Sequence, residues 1–236
     1  MFSKRKLAML VAEFMGVVVL ATSVFSVVRW QLPSMFVAIA AGIVLGLLVN
    51  TIGSTSGAHV NPAVTLGLWS IRKVTTAKAI AYVAVQLLAG LATLALMKYL
   101  LGTPLESMAS GPFEWKVLVA EAIGGLILGF GFASALYQKM DKNQLAFTIG
   151  LSLTAAIFVA GIASNGIVNP AVAVGLKSWS WAYAVGPVIG TIIGMNLYAL
   201  LFTDMNPVAG VSLAKTSSKA SKKVSSGKKK KTSKRK

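Results

Sequence analysis

The segment Val60-Asn-Pro-Ala-Val-Thr-Leu-Gly67 returns as Val168-Asn-Pro-Ala-Val-Ala-Val-Gly175, with six of the eight positions identical. The two copies lie 108 residues apart, and Ala12-Glu13 recurs at the same offset as Ala120-Glu121. Equal spacing of two separate motifs indicates a duplicated unit. A single Asn-Pro is most often an ordinary turn, but its duplication at equal spacing argues against that interpretation here.

The composition is typical of a membrane protein. The 236 residues have a mean hydropathy of +0.74, with 56% hydrophobic and only 12% charged residues. Most of the net charge of +17 belongs to the C-terminal end, because 11 of the 23 Lys and Arg lie in residues 215–236. With no cysteine and one histidine, the sequence offers no thiolate or histidine cluster, so we expect no metal and no cofactor. It also contains no nucleophile-base pair or phosphate loop, so we do not expect an enzyme.

Apolar stretches between Gly, Pro and charged residues predict an all-α membrane protein with six crossings and two shorter segments. The crossings are expected near 7–28, 35–53, 79–101, 117–138, 145–163 and 180–202. The short segments, about 62–70 and 170–177, each begin at Asn-Pro. The predicted domains are an N-terminal segment 1–6, a channel domain 7–203 with repeats at about 7–101 and 115–203, and a disordered Lys-rich tail 204–236.

The distribution of basic residues predicts the orientation. With both termini in the cytoplasm, nineteen Lys and Arg fall inside and four outside, as the positive-inside rule requires. Each half holds three crossings, so the second half must enter the membrane inverted. We expect an integral, multi-pass protein of the cell membrane.

Asn-Pro is a strong start for a half-helix, because Asn caps the helix and Pro suits its first position. About ten residues give roughly 15 Å, half of the hydrocarbon core, so two half-helices from opposite faces meet at its middle. Their positive ends would repel cations while Asn61 and Asn169 donate N–H groups to a neutral solute. The segments leading into them, 53–60 and 163–168, are expected to be non-helical and either to be buried in protein or to line water.

At these residues the chain resembles the aquaporin and glycerol-facilitator family, the major intrinsic proteins, over about residues 5–203. Further matching residues are Ala12-Glu13-Phe14, Ser56-Gly57-Ala58-His59, Tyr82, Gln86, Gly90, Trp181, Tyr183, Gly186, Pro187 and Gly190. The resemblance implies an aquaporin-like fold, a homotetramer with one pore per subunit, and a pore constriction at the two boxes. The box residues are Asn61, Pro62, Ala63, Asn169, Pro170 and Ala171.

Two glutamates fall at bilayer depth, which suggests either an ion pathway or a buried structural role. The resemblance implies that Glu13 and Glu121 accept hydrogen bonds from the re-entrant loops, with help from Gln86 in the first half. His59 could be a gating residue, but a lone histidine beside a capping Asn is more often a packed, hydrogen-bonded side chain.

The chain departs from the family after the second box, where most members have arginine and this chain has Val172. The resemblance places the other filter positions at Ala41, Ile157 and Gly166. A filter without charge or aromatic rings predicts a permissive pore for water and small neutral solutes of the glycerol, urea and ammonia class. The opposite outcome is an apolar constriction that dewets and closes.

Three classes of function are compatible with these features. A passive channel is favoured by the paired half-helices and by the scarcity of titratable groups in the expected lumen. A secondary transporter also uses inverted repeats with broken helices, and a non-conducting scaffold could use the same fold. The tail is expected to bind anionic lipid or simply to be solvated. Nucleic acid is not expected as a partner, because the tail has no aromatic residues for base stacking.

Overall fold

The computed structural model describes residues 3–109, 111 and 113–203, and within them the fold is entirely helical. The helices are α1 (Lys4–Arg29), α2 (Ser34–Ser56), α3 (Pro62–Ser70), α4 (Thr76–Leu101), α5 (Trp115–Tyr137), α6 (Lys142–Ala160), α7 (Pro170–Gly175) and α8 (Trp181–Phe202). Six of these described helices are long and apolar enough to cross a membrane, whereas α3 and α7 are short. The predicted fold class is confirmed. The predicted tail, 204–236, lies outside the described residues.

Three helices begin three residues earlier than the sequence pattern suggested. The hydroxyls of Ser3 and Thr75 and the carboxylate of Asp141 accept backbone N–H groups of the first turn of α1, α4 and α6. Each helix therefore starts directly after its polar cap rather than at its first run of apolar residues. In α6 the side chain of Gln144 also reaches back to the backbone N–H of Asp141, which completes a capping box.

The segment 53–60 was expected to be non-helical, but its first four residues are helical. Helix α2 continues through Gly53 to Ser56 and stops at Gly57, which adopts a left-handed conformation with φ of 102°. A glycine inside an apolar helix does not by itself end it, whereas a left-handed residue does. Conversely, α6 ends at Ala160, three residues before the predicted end, in a series of turns.

Helix contacts repeat across the two halves. α1 packs on α2 and α4, and α5 packs equivalently on α6 and α8. The halves meet where α2 packs on α6, and each short helix lies against the last long helix of the opposite half, α3 on α8 and α7 on α4. The two short helices also contact each other. This arrangement is the predicted inverted repeat, and it brings the two Asn-Pro starts together.

The outer surface is suited to an apolar solvent. Large side chains such as Ile43, Ile80 and Leu200 are exposed on the long helices, which in water would be an aggregation hazard but in lipid is the stable arrangement. Exposed aromatic residues near helix ends, including Trp30, Tyr99, Trp115 and Trp181, match the belts that form at membrane interfaces.

Replacing Gly190 with alanine should destabilise the bundle. The added Cβ would overlap the carbonyl oxygen of Ala122, a backbone atom of α5 that cannot rotate away. We expect a loss of about 1–3 kcal/mol or more in the free energy of unfolding, the usual cost of overpacking. Thermal unfolding in detergent, followed by tryptophan fluorescence, measures it. Gly111→Ala is the matched control because nothing lies within 4 Å of its added Cβ, and equal melting temperatures for both variants would contradict the close crossing.

Candidate pore constriction

The two short helices start in the same way. Asn61 caps α3 and its side-chain oxygen accepts the backbone N–H of Ala63 at 2.8 Å. Asn169 caps α7 and accepts from Ala171 at 3.0 Å and from Val172 at 3.4 Å. Proline follows each cap at the first helical position, where its missing N–H is no loss.

Each asparagine also binds the opposite half. The Asn61 amide nitrogen donates to the carbonyl of Val168 at 2.9 Å, and the Asn169 amide nitrogen donates to the carbonyl of Val60 at 2.9 Å. The two half-helix starts are therefore joined by a reciprocal pair of hydrogen bonds. A side-chain amide has two N–H groups, so each asparagine keeps one to offer to a solute.

The carbonyls that accept these bonds belong to strained residues. Val60 and Val168 have φ of 43° and 52°, a left-handed conformation that a β-branched residue rarely adopts. Such a residue typically costs about 1–3 kcal/mol, so other contacts must hold it. Both residues are buried, with none of their surface exposed.

Two buried carboxylates provide those contacts. Glu13 accepts the backbone N–H of His59 at 3.0 Å and of Val60 at 2.7 Å. Glu121 accepts those of Ile167 at 2.9 Å and Val168 at 2.6 Å. Both carboxylates are completely buried, which is stable only because hydrogen bonds replace the lost water.

A pair of serines, Ser56 and Ser164, keeps the same offset and was not identified as a pair from the sequence. Ser56 accepts the backbone N–H of Ala58 at 3.0 Å, and Ser164, 108 residues later, accepts that of Gly166 at 2.9 Å. Ser164 also donates to Glu121 at 2.7 Å. Comparing the two halves position by position would have found this pair.

In the first half, Glu13 is held by a longer network that begins at Gln86, whereas Glu121 in the second half is held by Ser164. Gln86 donates to Glu13 at 2.8 Å and to the hydroxyl of Thr65 at 3.0 Å. Thr65 in turn lies 3.1 Å from Nδ1 of His59 and donates to the carbonyl of Asn61 at 3.1 Å. The sequence signal was Thr65 itself, a polar residue inside the apolar α3 whose counterpart in the second copy is alanine.

His59 is held on several sides. Its ring lies edge-on to Tyr82 with centroids 5.0 Å apart, and the Tyr82 hydroxyl donates to the carbonyl of Ser56 at 2.8 Å. Only 4% of His59 is exposed. The arrangement agrees with a packed, hydrogen-bonded histidine.

A narrow cavity runs past both asparagines. It is lined by Leu20, Val24, Ala41, Leu45, His59, Val60, Asn61, Val64, Leu128, Leu153, Ile157, Ile167, Asn169, Val172 and Leu176. It leaves about 20 Å³ for the centres of water molecules, close to the minimum of about 10–15 Å³ that one water needs. The cavity is thus small and mostly apolar, with two asparagine amides and no Lys, Arg, Asp or Glu among these lining residues.

Three of the four expected filter residues lie on this cavity, namely Ala41, Ile157 and Val172. Gly166 is buried, and the next residue, Ile167, lines the cavity. Gly166 has φ of 60°, and a Cβ there would lie 2.8 Å from the carbonyl oxygen of Ile157. The left-handed backbone conformation and the close carbonyl oxygen therefore both favour glycine at this position.

A wider vestibule of about 590 Å³ opens beyond the end of α2. Ser56, Gly57 and His59 line its inner part, and His59 also lines the narrow cavity, so the two spaces adjoin. Lys73, Lys78 and Lys142 line the same vestibule. Its cationic lining favours anions over cations at this mouth.

Comparisons with known proteins agree with this geometry. The model of the major intrinsic protein family matches residues 1–198. The chain is 33% identical to the aquaporin TIP4-2 of Zea mays over 181 residues, covering 70% of this chain and 69% of that protein. It is 30% identical to aquaporin-5 of Mus musculus over 210 residues, covering 77% and 78%. It is 26% identical to the aquaporin AqpM of Methanothermobacter thermautotrophicus over 189 residues, covering 71% and 77%.

A solved structure shares the fold. The X-ray structure of the aquaglyceroporin from Plasmodium falciparum superimposes with a TM-score of 0.70 at 18% sequence identity, covering 83% of this chain and 96% of that one. Such low identity supports the fold alone. The family match over 198 residues carries the assignment, and it confirms that the protein is a channel rather than an enzyme. The chain belongs to the major intrinsic protein family and is an integral, multi-pass membrane channel for water or small solutes.

Proposed function

We propose that this channel conducts water and small neutral solutes of the glycerol, urea and ammonia class passively through a permissive apolar filter. The observation that carries the proposal is the pair of amide donors, Asn61 and Asn169, in a lumen whose other lining side chains are almost all aliphatic. A neutral solute can exchange its water hydrogen bonds for those amides. An ion cannot, because aliphatic walls do not replace its hydration shell.

Permissiveness follows from the side chains at the filter. Ala41, Ile157 and Val172 bring neither a charge nor an aromatic ring to the narrow cavity. The side chains of Ile157 and Val172 make no hydrogen bonds, so a solute that moves past them breaks none. An arginine at position 172 would behave differently, since a guanidinium has five donors to satisfy.

Stopped-flow light scattering on proteoliposomes tests this function. We expect water, glycerol, urea and methylamine fluxes above those of empty vesicles, with no saturation and a shallow dependence on temperature. Saturating or gradient-coupled flux would instead indicate a secondary transporter. Exclusion of glycerol, urea and methylamine with fast water flux would overturn the permissive filter.

The narrowness of the lumen favours a second candidate, a non-conducting member of the family. A cavity of about 20 Å³ with aliphatic walls favours dewetting, which interrupts the file of water molecules and closes the pore. Absence of flux for every solute, from protein shown to be folded by its circular dichroism and thermal unfolding, would select this candidate over the channel.

We further propose structural roles for the residues around the boxes. Glu13 and Glu121 hold the strained loops before α3 and α7 through the backbone bonds described above, and Gln86 fixes the Glu13 carboxylate. His59 packs beneath the first box. All are buried within hydrogen-bonded networks, which favours structure over an ion pathway.

Asn61→Asp should change charge selectivity. The carboxylate cannot donate to the carbonyl of Val168, which the amide reaches at 2.9 Å, and it brings a negative charge to the point where two positive helix ends meet. We expect neutral-solute flux to fall and a cation leak to appear, measured by vesicle swelling and by potassium-driven reversal potentials. Asn143→Asp, on the exposed first turn of α6, is the control. Unchanged ion permeability in folded Asn61→Asp protein would argue that the boxes do not control the lumen.

The remaining assignments rest on the resemblance and on charge. We propose a homotetramer with one pore per subunit, both termini in the cytoplasm, and residence in the cell membrane. The Lys-rich tail, 204–236, is proposed to attract anionic lipid electrostatically. Cross-linking in native membranes and protease protection of sealed vesicles measure the assembly and the orientation.

A further inference from the structure

A second cavity lies between the first turns of α1 and α4, and it shares Lys78 with the vestibule of the pore. Its volume is about 530 Å³, and its lining includes the basic residues Arg5, Lys6 and Lys78. These turns begin two membrane-crossing helices of 26 residues each, so the cavity lies where lipid headgroups meet the hydrocarbon.

Three cationic side chains line this cavity, and the buried Glu13 acts on Lys78 through its charge from outside the lining. Arg5, Lys6 and Lys78 make no salt bridge within the described residues, where the one salt bridge joins Lys116 and Glu114. No Asp or Glu belongs to the described lining. Bringing three like charges to one space is unfavourable by itself, and an anion in that space would reverse the sign of the interaction.

Lys78 is the innermost of the three and is fixed in place. Its ammonium donates to the carbonyl of Ser56 at 3.2 Å and lies 4.7 Å from the centre of the Tyr82 ring. It is only partly exposed, whereas Arg5 and Lys6 are exposed at the rim. Positive charges therefore lie both inside the cavity, at Lys78, and at its rim, at Arg5 and Lys6.

Hydrogen-bond donors and apolar walls complete the surroundings. The hydroxyls of Ser3 and Thr75 accept backbone N–H groups, and a hydroxyl that accepts one bond can donate another to a phosphate oxygen. Met9, Leu10 and Ala81 form apolar lining towards the membrane interior. On neighbouring turns Leu7 and Ile80 are exposed, as an acyl chain requires.

We propose that this cavity binds the phosphate of an anionic phospholipid, with Arg5, Lys6 and Lys78 around the headgroup and the acyl chains along α1 and α4. The positive lining selects a phosphate group, and the continuity of apolar surface into the bilayer selects a lipid over a soluble phosphate. Basic pockets between membrane helices are well suited to such headgroups. The site is distinct from the tail, whose basic residues lie in 215–236.

Native mass spectrometry of the full, delipidated chain tests the site. Phosphatidylglycerol and phosphatidylcholine with the same acyl chains are titrated against wild type, Arg5→Gln/Lys6→Gln, and the control Arg72→Gln/Lys139→Gln. The control removes equal charge from exposed residues that do not line the cavity, and every variant keeps the tail. Loss of two basic contacts should raise the dissociation constant of the first phosphatidylglycerol about 10- to 30-fold, while the control stays near wild type.

Ala77→Glu gives an independent measurement because it adds a negative charge to the lining and removes no basic residue. We expect it to abolish preferential phosphatidylglycerol binding, with Ala77→Gln behaving as wild type. Equal weakening by the Arg5/Lys6 and Arg72/Lys139 pairs, or unchanged binding in Ala77→Glu, would overturn the site. Displacement of phosphatidylglycerol by excess glycerol 3-phosphate would overturn the choice of a lipid over a soluble phosphate.

Discussion

Glu121→Leu should eliminate solute flux and lower the free energy of unfolding by about 2–6 kcal/mol. Leucine fills the space of the carboxylate but leaves the backbone N–H groups of Ile167 and Val168 without an acceptor. Each buried unsatisfied N–H costs about 1–3 kcal/mol. The left-handed Val168 would then lose the contact that holds it, and the loop before α7 would move into the lumen. Thermal unfolding in detergent and stopped-flow flux in vesicles measure the two effects.

Two controls make this result specific. Glu121→Gln retains one acceptor oxygen, so we expect an intermediate loss. Glu106→Gln changes an exposed glutamate in the loop after α4 and should match wild type. A Glu121→Leu protein with wild-type flux and stability would show that other contacts hold the second loop.

Val172→Arg should convert the permissive filter into one that favours water. The side chain of Val172 lines a cavity of about 20 Å³ beside Ala41 and Ile157, so a guanidinium there would occupy the passage. It would also offer donors that water can satisfy while narrowing the space for a larger solute. We expect the ratio of glycerol to water flux to fall by more than about tenfold, equivalent to about 1.4 kcal/mol in relative barrier height, and any cation leak to decrease. Paired stopped-flow measurements on the same vesicles give the ratio.

Val172→Met separates charge from bulk. Methionine adds length without donors, so it should slow both solutes without favouring water. If methionine and arginine change the ratio equally, size alone controls the filter. If neither changes it, Val172 does not lie at the limiting point of the pathway.

Local sequence signals predicted much of the channel because the same local chemistry occurs twice. Asn-Pro favours the start of a helix, and α3 and α7 begin at Pro62 and Pro170. Helix ends were predicted less well. Gly53 looked like a break but is helical, since the residue that ends α2 is the left-handed Gly57. Composition cannot distinguish a glycine that tolerates a helix from one that stops it.

The two buried carboxylates show which tertiary contacts the sequence could and could not predict. Their depth in apolar helices marked Glu13 and Glu121 as requiring partners, yet the identity of those partners depends on loops 46 and 47 residues away. Ser164 and Thr65 gave only a weak signal, because a hydroxyl in an apolar segment usually bonds its own helix. Their roles emerge only when distant loops are brought against the helices.

The sequence by itself determined the duplication, the six apolar helices, the two half-helix starts and their inverted arrangement, because helix caps and bilayer-length apolar runs act over a few residues. Tertiary structure alone decided that Asn61 and Asn169 donate to each other's loops, that Ala41, Ile157 and Val172 line one narrow cavity, and that Arg5 and Lys78 share another. The physical reason is that these contacts join atoms far apart in the chain, and their geometry is set by how the helices pack.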